Sequence, residues 1–142
     1  MALVVAGAPL HAQLGKLLPG KPAANATASA APAPDSPQAM VTQFVRDTRA
    51  RNWAAASRAL ALVTDSQRAR GAELAERLKA VLDQRVALDV ESVSPLAEGD
   101  TTDGLDRRRE RLAEFAGPDG QPARIRLERI RDAGEERWVF SA

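Results

Sequence analysis

Residues 107–141 read RRRERLAEFAGPDGQPARIRLERIRDAGEERWVFS, and this stretch decides the fold class of the chain. Two turn signals, GPDG at 117–120 and DAG at 132–134, divide the stretch into three segments. The pattern predicts three consecutive strands, at residues 107–116, 123–131 and 137–141. Because the turns between them are short, neighbouring strands must run antiparallel.

The pairing of the first two of these strands follows from matching their side chains. We expect Leu112 to face Leu127, so that apolar side chains meet across the sheet. The same register pairs opposite charges, Glu110 with Arg129 and Arg111 with Glu128. Both faces of this strand pair would then gain matched partners.

A further strand is predicted upstream, at residues 86–91. Its apolar side chains, those of Val86, Leu88 and Val90, alternate with small or charged ones, as a half-buried strand requires. Residues 94–106 follow, and their proline, glycines and acidic residues predict a loop. The sequence thus predicts a four-stranded antiparallel meander.

Helical signals occupy the region before the strands. Ser36-Pro37 is typical of a helix start, with a hydroxyl N-cap followed by proline at the first helical position. Apolar spacing predicts three helices, at about 37–50, 53–62 and 65–84. The apolar stripe of the third helix contains Leu74, Leu78, Val81 and Leu82. We therefore expect an α+β fold with three N-terminal helices packed on a four-stranded antiparallel meander. If the sheet curves around a cavity, the domain would resemble the cone of nuclear transport factor 2.

The chain divides into three parts along the sequence. Residues 1–12 hold a short apolar run ending in Leu10-His11-Ala12, which is typical of a secretory signal peptide cleaved after Ala12. The basic start of such a signal is missing, so we expect this one to be truncated. Residues 13–35 are rich in alanine and proline and are predicted to form an extended linker. Residues 36–142 form the predicted α+β accessory domain.

The composition argues against catalysis. The chain has no cysteine and no tyrosine, and its one histidine, His11, lies in the predicted signal peptide. A hydrolase would need a carboxylate pair or a serine with a nearby base, and the sequence shows no such grouping. The net charge of +1 gives no global field that would attract nucleic acid. We predict a protein that is not an enzyme, with no catalytic, cofactor-binding or metal-binding residues.

Two clusters of charged residues could each have a binding function. Four acidic residues share the predicted loop and could bind calcium, namely Glu98, Asp100, Asp103 and Asp106. They lack the spacing of an EF-hand, which favours a solvated acidic loop. Arginines crowd two predicted strands, at Arg107, Arg108, Arg109, Arg111, Arg124, Arg126, Arg129 and Arg131. These could make weak contact with anionic lipid, although interleaved glutamates favour a solvated, ion-paired sheet.

The two tryptophans also have two interpretations. Trp53 begins a predicted helix and Trp138 lies on the last predicted strand. They could line a ligand pocket inside a cone-shaped cavity. The simpler interpretation, which we favour, is that two large rings complete a small hydrophobic core.

The order and spacing of several short motifs resemble a known domain. In chain order they are FVR at 44–46, RNWAAA at 51–56, ELAERLK at 73–79, VLD at 81–83, EGD at 98–100, DGL at 103–105, RERL at 109–112, LER at 127–129 and WVFS at 138–141. Together they are similar to the extracytoplasmic N-terminal domain of some bacterial small-conductance mechanosensitive ion channels, the MscS family. The resemblance covers roughly residues 36–142.

This resemblance implies a location and partners. The domain would be exported and would form the periplasmic part of an inner-membrane protein, with roles in assembly or in modulating gating. Its partners would be a downstream transmembrane channel part and, in the full-length protein, further copies in a heptamer. We expect the chain to be a fragment that lacks the pore. The alternative is a free-standing periplasmic module that binds a small ligand and has the shape of nuclear transport factor 2.

Overall fold

The computed structural model describes residues 31–141. The α-helices within this range are α1 (Pro37–Arg49), α2 (Trp53–Ala56), α3 (Asp65–Ala69) and α4 (Gly71–Arg85), with 3₁₀ turns at Ser57–Ala59 and Val90–Ser92. The strands are β1 (Arg109–Ala116), β2 (Pro122–Asp132) and β3 (Glu135–Ser141). The predicted signal peptide, residues 1–12, and most of the predicted linker, residues 13–35, lie outside the described residues.

The α+β class is right, but both predicted counts are wrong. The sheet has three strands in the order β1-β2-β3, all antiparallel, rather than four. Four α-helices precede it within the described part of the chain, rather than three. The expected arrangement of three helices on a four-stranded antiparallel meander is therefore incorrect, and each error has a local cause.

The missing strand is the one predicted at residues 86–91. Val86, Leu88 and Val90 are partly buried against the core, so the alternation of apolar residues does reflect one-sided burial. The backbone, however, satisfies its hydrogen bonds locally. The Leu88 N–H donates to the carbonyl of Val86, and the N–H groups of Ser92 and Val93 donate to carbonyls three residues earlier. An extended segment that packs by its side chains without joining a ladder gives the same sequence pattern as a strand.

The additional helix arises where the helix predicted at about 65–84 is interrupted at Arg70. Thr64 and Gln67 form a capping box that starts α3 one residue later, at Asp65. The chain turns at Arg70, and α4 then begins at Gly71 in close contact with the preceding segment. A Cβ atom on Gly71 would lie only 3.0 Å from Leu62 Cδ1 and 3.1 Å from Ser57 Cβ. Glycine therefore permits this close approach.

The first helix begins as predicted. Ser36 is its N-cap and accepts the Ala39 N–H at 3.1 Å, and Pro37 occupies the first turn. The helix ends before Arg51, whose φ of 56° is left-handed, and Asn52 then caps α2. The break between the helices predicted at 37–50 and 53–62 is therefore present, although the second helix ends at Ala56 rather than at 62.

The predicted register of the first strand pair is wrong. Glu110 lies opposite Leu127 and Arg111 lies opposite Arg126, so Leu112 does not face Leu127. An irregularity between Arg111 and Ala113 shifts the register, so that Ala113 then pairs with Ile125. The predicted pairs of Glu110 with Arg129 and of Arg111 with Glu128 are also absent, because the register before this irregularity differs from the predicted one by two residues.

Helices α1, α2 and α4 contribute to one core on one face of the sheet, whereas the residues of α3 are exposed. Its fully or almost fully buried members are Val41, Phe44, Ala56, Leu60, Ala75, Leu82, Val93, Ile125, Leu127, Trp138 and Phe140. The rings of Phe44 and Phe140 meet edge to face at a centroid distance of 4.8 Å. Side chains thus fill the space between helices and sheet. This filled interior and the three-stranded sheet differ from the cone of nuclear transport factor 2.

The stripe predicted for the third helix is only partly correct. Leu82 of α4 is buried, and Leu74 and Leu78 pack at the margin of the core, but Val81 is 37% exposed. Ala75, which is fully buried, takes the central place instead. No helix within residues 31–141 is both long enough and apolar enough to cross a bilayer.

Candidate functional site

An open groove of about 790 Å³ runs along the seam between α1 and β3. Its apolar lining comes from Met40 and Phe44 of α1, Ala55 and Ala59 of the following turn, and Trp138 of β3. Charged side chains of both signs surround it, including Asp35, Arg58, Glu136 and Arg137. The groove lies outside the filled core, and its mixed rim has no strong preference for one charge.

Glu136 is the hub of the ion pairs at this rim. Three guanidinium groups approach its carboxylate, from Arg108 at 3.7 Å, Arg129 at 3.2 Å and Arg131 at 3.4 Å. Arg129 also lies 3.6 Å from the carboxylate of Asp35, just before α1. These contacts neutralise the charges within the fold and join the start of α1 to the sheet. They resemble a structural network more than a ligand site.

The acidic loop is not simply solvated, because it folds over a buried carboxylate on β1. Glu110 is 5% exposed. Its Oε1 accepts the Ser94 N–H at 2.9 Å, and its Oε2 accepts the Asp100 N–H at 3.2 Å. Burial raises the pKa of Glu110, and the nearby charges of Asp100 and Asp103 add to this rise, while the two N–H donors oppose it.

The same loop is held by Trp138. The indole Nε1–H donates to the carbonyl of Ala97 at 2.9 Å. Gly99, with φ of 78°, lies directly against the indole ring, where a Cβ atom would be 2.8 Å from two ring carbons and 3.2 Å from Glu110 Oε2. Glu110 and Trp138 therefore clamp the loop at three successive places, Ser94, Ala97 and Gly99-Asp100. We call this arrangement the loop clamp.

Two acids of the loop, Asp100 and Asp103, bind nearby backbone groups. Asp100 Oδ1 accepts both the N–H and the hydroxyl of Thr102 at 2.7 Å, and these bonds lower the pKa of Asp100, the hydroxyl contributing most. Asp103 accepts the N–H groups of Leu105 and Arg111. Among residues 31–141, no three His, Cys, Asp or Glu side chains are grouped so that they could hold a metal ion. Asp100 and Asp103 thus stabilise the fold of the loop, whereas Glu98 and Asp106 are exposed to solvent.

The two tryptophans occupy different positions. Trp138 is 2% exposed and belongs to the core, although its edge also lines the groove. Trp53 packs at the margin of the core and is partly exposed. The interpretation as a core residue therefore holds for Trp138, whereas Trp53 only packs against the core. The sequence did not indicate that the indole N–H of Trp138 fixes the acidic loop, nor that Glu110 is buried beside it.

Replacing Gly99 with alanine is expected to destabilise the domain by about 1–3 kcal/mol more than replacing Gly104. Both glycines have nearly the same left-handed φ, 78° and 77°, so the backbone strain is matched. Of the two, only Gly99 has neighbours within 4 Å of the new methyl group, and the nearest are two carbons of the rigid indole ring. Urea unfolding of the two variants measures the difference, and equal losses would show that the ring does not restrict this position.

Comparison with known proteins yields no relative: no family model matches the chain, and neither curated proteins nor solved structures contain a significant match.

Proposed function

We propose that residues 36–142 form a non-catalytic accessory domain on the periplasmic side of an inner-membrane mechanosensitive channel of the MscS family. The non-catalytic role is supported by one observation: polar side chains of the domain are bound to other groups of the same domain. Glu110, Asp100, Asp103 and Glu136 all bind donors of this domain. The ordered series of motifs from 44 to 141 supports the channel family.

The last strand has the features of a mechanical attachment. Trp138, Val139 and Phe140 are each at most 5% exposed, so β3 is held in the packed part of the domain. The strand pairs with β2 along its length, and the Ala61 N–H donates to the carbonyl of Phe140 at 3.0 Å on its other edge. In the proposed channel, the chain continues from β3 into transmembrane helices. A load on that connection would then act along hydrogen-bonded strands and reach the core.

A second function, binding of a small ligand, is favoured by the groove between α1 and β3. A volume of about 790 Å³ with an apolar floor is within the range of small-molecule sites. The sequence encoded after codon 142 separates the two proposals. An apolar run of about 20 residues there supports the channel. A stop codon supports a free-standing module.

Deletion of residues 36–142 from the proposed full-length channel is expected to leave a pore that still opens under membrane tension, with a shifted threshold. The pore would lie downstream, so the domain would alter gating without forming the conduction path. Patch-clamp recording of membrane patches under graded suction measures both conductance and threshold. Surface labelling of the deletion variant checks that it reaches the membrane. Loss of all conductance in a variant that inserts normally would contradict an accessory role.

A further inference from the structure

The face of the sheet opposite the core carries a row of side chains that can donate hydrogen bonds. Ile125 and Leu127 of β2 face the helices, so Arg124, Arg126 and Glu128 lie on the outer face. Directly paired residues of neighbouring strands share a face. Arg111 of β1 pairs with Arg126, and Arg126 pairs with Ser141 of β3. Two guanidinium groups and a hydroxyl therefore lie in one row across all three strands. We call these three residues the Arg-Arg-Ser row.

The neighbouring arginines on this face each have a close carboxylate partner, whereas the two of the row act on a carboxylate only at longer range, by helping Arg124 to lower the pKa of Glu114. Arg124 binds Glu114 at 2.8 Å, and Arg109 lies 3.9 Å from Glu128. Within residues 31–141, neither Arg111 nor Arg126 has a carboxylate oxygen within 4.0 Å. Like charges directly opposite each other destabilise a sheet, so this pair costs stability in the isolated domain. An anion between the two guanidinium groups would remove that cost.

The side chain of Arg126 gives a second indication of an absent partner. Its Nε atom exposes less than 1 Å² to solvent and has no hydrogen-bond acceptor among the described residues. A sheltered donor without an acceptor is unfavourable, because it has lost water and gained nothing in return. Guanidinium groups bind phosphate through two parallel hydrogen bonds, a geometry that lysine does not offer.

We infer that the Arg-Arg-Ser row binds the phosphate groups of anionic phospholipids. This inference rests on the proposed function, in which the chain leaves β3 toward the bilayer and so keeps Ser141 near it. A dissolved phosphate ion would gain little from guanidinium groups that water also reaches, since Arg111 is exposed. A membrane surface presents many phosphates at once and attracts basic residues through its surface potential.

Nucleic acid fits this surface less well. Single-stranded nucleic acid is held by aromatic side chains on which the bases stack. The aromatic residues of the three strands, Phe115, Trp138 and Phe140, lie on the face that packs against the helices. Beside its charged side chains the outer face carries Val139, which pairs with Glu128 and is fully buried, and it has no aromatic ring from the three strands.

Vesicle co-sedimentation of the 142-residue chain tests the inference. The probe is an equal mixture of phosphatidylcholine and phosphatidylglycerol, with phosphatidylcholine alone as reference. The double variant Arg111→Gln/Arg126→Gln is expected to bind the anionic vesicles about 10- to 30-fold more weakly. The variant Arg46→Gln/Arg49→Gln removes the same charge from α1 on the helical side and should bind nearly as well as the unmodified chain. Added salt should weaken the binding of the unmodified chain.

Further measurements exclude unfolding and competing partners. Urea unfolding should show that Arg111→Gln/Arg126→Gln is at least as stable as the unmodified chain, since a like-charge pair has been removed. Arg111→Lys/Arg126→Lys should keep part of the vesicle binding, because the charge remains. Equal losses in the two glutamine variants would overturn the inference. So would binding to inorganic phosphate without vesicle binding, or equal affinity for a single-stranded DNA oligonucleotide. None of these outcomes depends on whether a membrane segment is encoded after codon 142, so the inference can fail while the channel proposal stands.

Discussion

Replacing Phe44 with alanine is expected to lower the free energy of unfolding by about 3–5 kcal/mol. The side chain is 1% exposed, and its ring packs edge to face on Phe140 of β3. Truncation would remove this contact and leave a cavity at the point where α1 meets the sheet. A total stability of about 5–15 kcal/mol is typical of such domains, so a large part of it would be lost. Urea unfolding monitored by tryptophan fluorescence measures the change.

The matched control for Phe44 is Val81→Ala on α4. Val81 is 37% exposed, so its truncation should cost less than about 1 kcal/mol. The sequence alone would rank Val81 as a core residue, since it lies in the apolar stripe predicted for that helix. Similar losses for the two variants would mean that Phe44 is not a core residue or that Val81 is one.

Local signals made the helices around residues 36–56 predictable. Ser36-Pro37 and Asn52 act within a few residues of their own position, so their effect is visible in the sequence. The break at Arg70 depends instead on a contact across space, between Gly71 and the segment that carries Ser57 and Leu62. Such a contact cannot be predicted from the periodicity of the sequence.

The segment at 86–91 shows a different limit of pattern reading. Alternation reports which side chains are buried, and it did so correctly for Val86, Leu88 and Val90. It does not report whether a neighbouring strand is available for hydrogen bonding. Here the chain turns at Val90–Ser92, and the Asp89 carboxylate accepts the Glu91 N–H. Burial without pairing therefore gave a false strand.

The loop clamp was hidden by the bulge in β1. In the sequence, Glu110, Leu112 and Glu114 alternate regularly, which suggests that all three share one face. The irregularity between Arg111 and Ala113 breaks that relation, so that Glu110 is buried while Glu114 pairs with Arg124 on the outer face. The sequence carries no signal of this burial, because the alternation of residues does not reveal the bulge.

Replacing Glu110 with glutamine is expected to destabilise the domain by about 1–3 kcal/mol, because one backbone donor would lose its acceptor. The carboxylate accepts the N–H groups of Ser94 and Asp100 on separate oxygens. Glutamine keeps one acceptor oxygen and presents an NH₂ group where the other oxygen was. Glu110→Ala would remove both acceptors and should cost more.

The pH dependence of this loss of stability tests whether burial of Glu110 or its hydrogen bonds to the loop dominate its pKa. Burial raises the pKa of Glu110 above its ordinary value of 4.5 in the folded state. Between that value and the raised pKa, the folded protein binds more protons than the unfolded chain, so this group's contribution to stability falls as pH rises. The contribution is fully present below pH 4.5 and is lost as pH passes through the raised pKa. Glutamine does not titrate, so it makes no pH-dependent contribution to stability.

The stability difference between the unmodified chain and Glu110→Gln should therefore be largest below pH 4.5 and should narrow toward neutral pH. Urea unfolding of both proteins across this range measures it. Subtraction largely cancels the other titrating groups, including Asp100, whose pKa is lowered and would produce the opposite slope. If the difference widens toward neutral pH instead, the hydrogen bonds from Ser94 and Asp100 outweigh burial. The ionised carboxylate would then be the form that holds the loop on Trp138.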